Sequence, residues 1–146
     1  MQITVKTVDK AHFSDAKSVR MTVFCDEQGF SPEIELDEHD MFADDTVHFA
    51  AYSDETAVGA GRIIFGSTDF PCKIGRVAVL KEYRKYGIGR KLIFAMIDYA
   101  QSRKVHEIVV DSQLSAMGFY AKCGFTPFGD EHPDGHIMHK YMRLTL

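Results

Sequence analysis

The hydrophobic positions of this chain change period several times, and the changes divide it into elements. Ile3, Val5 and Thr7 alternate with Thr4, Lys6 and Val8, which predicts a short first strand. Phe13, Ala16, Val19, Val23 and Phe24 recur at helical spacing; that helix should end by Gly29, and Pro32 bars its continuation. The segment from Glu33 to Thr46 is acidic and lacks clear periodicity, so it reads as a loop with room for one helical turn. Two strand patterns follow, Val47 to Tyr52 and Ala57 to Phe65, joined as a hairpin through Ser53-Asp54-Glu55-Thr56. After a turn over Gly66 to Pro71 comes the apolar run Ile74 to Leu80, expected as a central strand. Ile88, Leu92, Ala95, Met96, Tyr99 and Ala100 share one helical face, with Arg90, Lys91, Asp98 and Arg103 largely opposite. Ile108-Val109-Val110 predicts a short buried strand. Leu114 to Cys123 predicts a second short helix stopped by Gly124, and Phe125 to Phe128 with Ile137 to Leu144 predicts two closing strands.

Strands joined through helices are normally parallel, whereas hairpins are antiparallel, so this order describes a mixed sheet with helices on its faces. With 146 residues, 45% hydrophobic and 26% charged, the chain has material for one domain and no second core. Its opening, Met1 to Lys6, lacks a basic patch followed by an apolar run, and the longest strongly apolar stretch is the short Leu92 to Ile97. A soluble, unsecreted, cytoplasmic protein without a membrane partner is expected. Cys25, Cys72 and Cys123 are odd in number and match no metal or redox spacing, as suits reduced, buried thiols.

Charge is unevenly spread although the net value is only −4. From Asp26 to Glu55 there are eleven acidic residues and no Lys or Arg, whereas Arg62 to Lys104 holds ten basic residues against three acidic ones. Such asymmetry suits one wall to a polyanion and the other to a cation, although charge runs are usually solvated faces. Nucleic acid explains the basic half poorly, because the chain as a whole is acidic and carries no recognised binding motif.

A candidate polyanion site lies where the strand Val77-Ala78-Val79 runs through Arg84-Lys85-Tyr86-Gly87-Ile88-Gly89-Arg90 into the long helix. The first turn of a helix has N–H groups without partners, and its dipole adds positive potential. Gly87 and Gly89 permit a tight turn and close approach to phosphate oxygens, while Arg84, Lys85, Arg90 and Lys91 add full charges. A Gly-x-Gly alone is weak evidence. The P-loop pattern is absent, and Leu92 stands where a dinucleotide fingerprint needs its third glycine.

Arg84-x-x-Gly87-x-Gly89 after this strand resembles the acetyl-coenzyme A signature of the GNAT superfamily of N-acetyltransferases. A second block, Gln113-x-x-Ala116-x-x-Phe119-Tyr120-x-Lys122-x-Gly124-Phe125, resembles that family's later Asn-x-x-Ala-x-x-Phe-Tyr-x-x-x-Gly-Phe motif. The likeness spans about Ala57 to Phe128. Phe24-x-x-Glu27-Gln28, Glu35-x-Asp37-x-x-Asp40 and Gly135-His136 resemble an ElaA-like or YjcF-like bacterial branch. The resemblance implies an α+β fold: a single GNAT-like domain over residues 1–146, with a mixed sheet of six or seven strands and about four helices. It also implies acetyl-coenzyme A as cosubstrate. Backbone groups of Val77, Ala78 and Val79 would then pair with the pantetheine arm, joined by the Gln113 amide where Asn is commoner. Amides of Arg84, Lys85, Tyr86, Gly87, Ile88, Gly89 and Arg90 would hold the pyrophosphate, and Tyr120 would lie near the sulfur. Relatives are often dimers, so a homodimer is admitted.

With a thioester as donor, the reaction is direct attack by an amine within a ternary complex, through a tetrahedral intermediate that expels a thiolate. The amine must lose a proton, the oxyanion needs a donor such as the Val79 N–H, and the thiolate needs a proton or hydrogen bond, which Tyr120 could supply. A phenol of pKa about 10 is a weaker acid than a thiol of about 8.5, so a hydrogen bond is the expected main effect. For the base, Glu35, Asp37, Glu38, Asp40 and His48 stay open, directly or through water, since no carboxylate lies between Lys73 and Leu80. An acidic wall would favour a cationic amine, small molecule or peptide, as acceptor. His136 and His139 fall on opposite faces of a strand, so a metal site is not expected. The rival reading from another class is a non-catalytic acyl-coenzyme A sensor or interaction module, and the acyl chain itself is open.

Overall fold

The computed structural model describes residues 1–146, apart from the side chain of Ile34. Its strands are β1 (Ile3–Val8), β2 (Thr46–Ser53), β3 (Thr56–Phe65), β4 (Cys72–Val79), β5 (Glu107–Gln113), β6 (Thr126–Asp134) and β7 (Ile137–Thr145). They form one mixed sheet in the order β1-β2-β3-β4-β5-β7-β6. Only the β4–β5 contact is parallel, because the helix between these strands carries the chain back across the sheet. The helices are α1 (Phe13–Arg20), α2 (Pro32–Glu35), α3 (Ile88–Ser102) and α4 (Met117–Lys122). This is the expected α+β architecture with seven strands and four helices.

Two apolar layers sandwich the sheet. On one face α3 buries Ile88, Leu92, Ile93, Met96, Ile97 and Ala100 against Phe49, Ile63, Ile74, Ile108 and Val110. The stripe is rotated from the expected one: Ala95 and Tyr99 are only half-buried, and Ile93 and Ile97 take the centre. On the other face Ala16, Val19 and Val23 pack on Ala50, Ala60 and Ala78, small strand residues that let a helix approach closely. Strand β1 serves both layers: Ile3 and Val5 turn toward the α3 side, Val8 toward α1. Cys72 and Cys123 are buried thiols, but Cys25 is half-exposed.

Three elements differ from the sequence reading. The first helix ends before Gly29 as expected, but its last turns widen into a π-helix over Met21–Glu27, with Gln28 N–H donating to the Val23 carbonyl. Strand β5 runs past Val110 to Gln113 because β7 pairs with all of it, from Glu107 opposite Thr145 to Gln113 opposite His139. Strand β6 likewise continues past Phe128 to Asp134, across an irregularity between Phe128 and His132. Both extensions are polar, and so invisible to a search for apolar runs.

The feature that positions everything else is a parting of strands. Strand β4 pairs with β5 only at Lys73 and Ile74. The next residues form a bulge: Arg76 has φ of 51°, and the register against β3 shifts between Ala60 and Arg62. Beyond it β4 has no β5 partner.

Met96 is fully buried, and its terminal carbon lies 2.7 Å from where a Cβ on Gly61 would sit, so its side chain fills the space over that strand. Met96→Ala should lower unfolding free energy by about 2–5 kcal/mol. The reading is a lower urea midpoint at unchanged slope; an unchanged midpoint contradicts this packing.

Candidate functional site

The gap between β4 and β5 opens into a cleft of about 620 Å³. Its walls include Val77, Ala78, Val79 and Arg84 on one side, Asp111, Gln113 and His139 on another, and Phe24, Gln28, Phe30, Glu35 and Asp37 above; Tyr120 also lines it. Leu80 N–H donates to Val58 O, and Ala78 faces Ala60, so Ala78 is the next residue bonded to β3. Alternation then turns the N–H and C=O of Val77 and Val79 toward the side that β5 has left. The Val79 carbonyl is taken by Arg84 Nε at 2.9 Å. Its N–H faces the gap.

At the turn into α3 the two glycines have different causes. Gly87 has φ of +71°, a left-handed conformation that costs a residue with a Cβ about 1–2 kcal/mol. Gly89 is there for contact: a Cβ on it would lie 3.3 Å from the Phe119 ring of α4. The first helical bond is Lys91 N–H to Gly87 O, so the amides of Ile88, Gly89 and Arg90 have no partner within the helix. The Arg84 guanidinium is not an open charge, since it forks onto Glu27 at 2.6 and 2.5 Å.

Glu27 and Gln28, at the end of the π-helical turns, strap the cleft. Glu27 holds Arg84 on the β4 side. Gln28 accepts from Gln113 Nε2 at 2.8 Å on the β5 side, and its carbonyl accepts from His136 Nε2 at 2.6 Å. The Glu27-Gln28 and Gly135-His136 signals, far apart in sequence, are thus one arrangement. Gln113 is already engaged.

Tyr120 is 9% exposed, set by α4 between Phe119 and Phe125. Burial, reinforced by nearby Cys123, pushes its phenol well above the ordinary value. It therefore keeps its proton at neutral pH and is available as a hydrogen-bond donor.

The acidic segment folds onto three arginines. Arg20, 1% exposed, donates to Glu35 Oε1 at 2.7 Å and forks onto Asp40 at 2.7 and 2.9 Å. Arg62 forks onto Asp37 at 2.7 Å twice and reaches Asp40 at 3.0 Å. Arg76, from the bulge, approaches Glu35 at 3.1 Å and Asp37 at 3.4 Å. Burial raises the Glu35 carboxyl against the pull of Arg76 and Arg20. For Asp37 and Asp40 burial acts the same way, but hydrogen bonds from Arg62 and Arg20 respectively win, and both fall below the usual range. Glu35 and Asp37 reach the cleft neutralised, so they are no open wall for a cation.

His48 does not line the cleft. It is 2% exposed, packed on Phe13 and Phe42, and donates from Nε2 to the His39 carbonyl; burial lowers its pKa and keeps it neutral. Glu38 is exposed and Asp40 is spent on Arg20 and Arg62. Of the candidate bases, only Glu35 and Asp37 stand at the cleft. The sequence reading missed the arginine partners, although Arg20 and Arg62 sit inside apolar runs, and it considered His139 solely as a metal ligand. His132 Nε2 donates to Asp111 Oδ1 at 2.8 Å, which raises the imidazole pKa, and His136 is held at Gln28, so the three histidines have separate partners.

Because Asp37 and Asp40 titrate lower when folded, their stabilisation is complete above the unfolded value near 3.9 and is lost as pH falls through and below it. Glu35 titrates higher when folded and offsets part of that loss by taking up its proton first. Urea midpoints should fall from pH 5 to pH 3. Asp40→Asn should cost about 3–5 kcal/mol at neutral pH by leaving Arg20 underpaired, and should flatten this acid dependence; parallel curves for both proteins would contradict it.

Residues 12–146 match the family model described as an acetyltransferase (GNAT) domain. YyaT of Bacillus subtilis is 31% identical over 138 residues, 94% of this chain and 91% of YyaT. YjcF of the same organism, described as an uncharacterized N-acetyltransferase, is 31% identical over 135 residues, covering 92% of this chain and 93% of YjcF. In fold, Escherichia coli ElaA superposes with a TM-score of 0.83 at 22% identity, over 98% of this chain and 99% of ElaA.

Proposed function

Because the chain belongs to the GNAT acetyltransferase family, whose members transfer an acyl group from an acyl-coenzyme A, we propose that it is an N-acetyltransferase acting on a small-molecule or peptide amine by direct attack in a ternary complex. The observation that carries this reading is the parting of β4 from β5 beside Tyr120. It leaves strand-edge amides facing a cleft large enough for a thioester arm.

The residues divide the work. Val77 offers its main-chain groups to the arm, an added-strand mode of recognition. Unpartnered amides of Ile88, Gly89 and Arg90, with the neighbouring backbone from Arg84 to Gly87, suit the diphosphate at a helix N-terminus. Lys85, Arg90 and Lys91 supply charge there, while Arg84 stiffens the turn through Val79 and Glu27. The Val79 N–H is placed to receive the developing oxyanion. Tyr120 stabilises the departing thiolate by donating a hydrogen bond, since its phenol is too weak an acid to surrender the proton outright.

Calorimetry should register acetyl-coenzyme A binding, and thiol release should follow with members of a primary-amine panel. Tight binding with silence across a broad panel would return the protein to a sensor role. Tyr120→Phe should lower kcat about 10–100-fold, the factor carried by a charge-assisted hydrogen bond of about 1.5–3 kcal/mol, with coenzyme affinity unchanged. An unaltered rate removes Tyr120 from the chemistry.

A further inference from the structure

Resting on the N-acetyltransferase reading, we propose that His139 is the base that takes the proton from the acceptor amine. Every other titratable group of suitable type at the cleft is engaged or exposed. Glu35 and Asp37 face guanidinium groups, Asp111 is bonded to His132, and His39 to Asp44 at 2.6 Å. Asp134 is exposed at the end of β6.

His139 differs in three respects. It lines the cleft while only 6% exposed, so its imidazole is shielded from bulk water. Its Nδ1 lies 2.9 Å from the Ile137 carbonyl. A carbonyl only accepts, so Nδ1 carries the hydrogen and the neutral ring presents its lone pair at Nε2. Strand register places it directly opposite Gln113 on one side and His132 on the other, in a single row across β5, β7 and β6. Cross-strand neighbours hold their Cβ atoms about 4.5–5.5 Å apart on the same face. The ring is therefore beside the amide that closes the cleft over β5.

The step balances without another reagent. An ammonium gives one proton to Nε2, and the freed nitrogen lone pair forms the C–N bond. The C–S bond breaks with its electron pair going to sulfur under the Tyr120 hydroxyl. The second nitrogen proton passes to the thiolate, directly or through water, and the imidazolium returns its proton to solvent.

The test separates a base from a packing residue. Wild type, His139→Gln and His139→Asn are assayed with primary alkyl amines and with weakly basic analogues already unprotonated at neutral pH, ethylamine and trifluoroethylamine being the simplest pair. Coenzyme affinity is measured alongside. Expected is a loss of about 10²–10⁴-fold in kcat/KM for the alkyl amines, a much smaller loss for the weakly basic ones, and unchanged coenzyme binding. Equal losses on both amine types, or no loss, overturn the proposal while leaving the acyltransferase reading intact. A wild type silent with every amine overturns that reading instead. If neither variant folds, the imidazole nitrogen spectrum of the wild type decides: an Nδ1–H tautomer supports the assignment and an Nε2–H tautomer overturns it.

Discussion

The site depends on one failure of pairing. Parallel neighbours β4 and β5 share only two register positions, and after Ile74 the bulge at Gly75-Arg76 swings β4 away. In an ordinary sheet the edge groups of Val77 and Val79 would be satisfied by the adjacent strand. Here they are held by a rigid scaffold, with α3 and Ile74 beneath, yet lack that strand. An extended ligand can take its place at Val77 and at the Val79 N–H, the Val79 carbonyl being already held by Arg84.

Such a gap in the middle of a sheet needs support from outside the sheet. It comes from the N-terminal segment, which folds over the opening and is tied to both banks: Glu27 to Arg84 on one, Gln28 to Gln113 and His136 on the other. Behind it three arginines and three carboxylates interlock at low exposure. Buried ion pairs of this kind often add little net stability over apolar packing, but removing one partner is costly, so they enforce a particular arrangement. Arg76 gives that arrangement a purpose, because the residue that bends β4 is also gripped by Glu35 and Asp37. Bulge and acidic loop position each other.

Much of this was legible in the residues. Period-2 and helical patterns located the strands and helices, and the two glycine-containing blocks pointed to the family and to the turn before α3. What could not be read was anything that depends on partners distant in sequence. Strand β5 was cut short because Asp111 and Gln113 are polar, although β7 pairs through both. The acidic run looked like an open surface because nothing local reveals that Arg20, Arg62 and Arg76 converge on it. His48 looked available and is enclosed by Phe13 and Phe42. Gly89 seemed to serve a ligand, but the structure gives it a packing role against Phe119 as well.

The Gln28–Gln113 pair has a consequence for ligand entry. Both amides are half-buried at the edge of the groove, and each satisfies the other. Here each glutamine is the other's placeholder. On the proposed reading, an arriving pantetheine amide exchanges one amide neighbour for another of the same chemistry. The swap is close to neutral in hydrogen bonding, which leaves the fit of the arm, rather than desolvation of the protein, to set how tightly it is held.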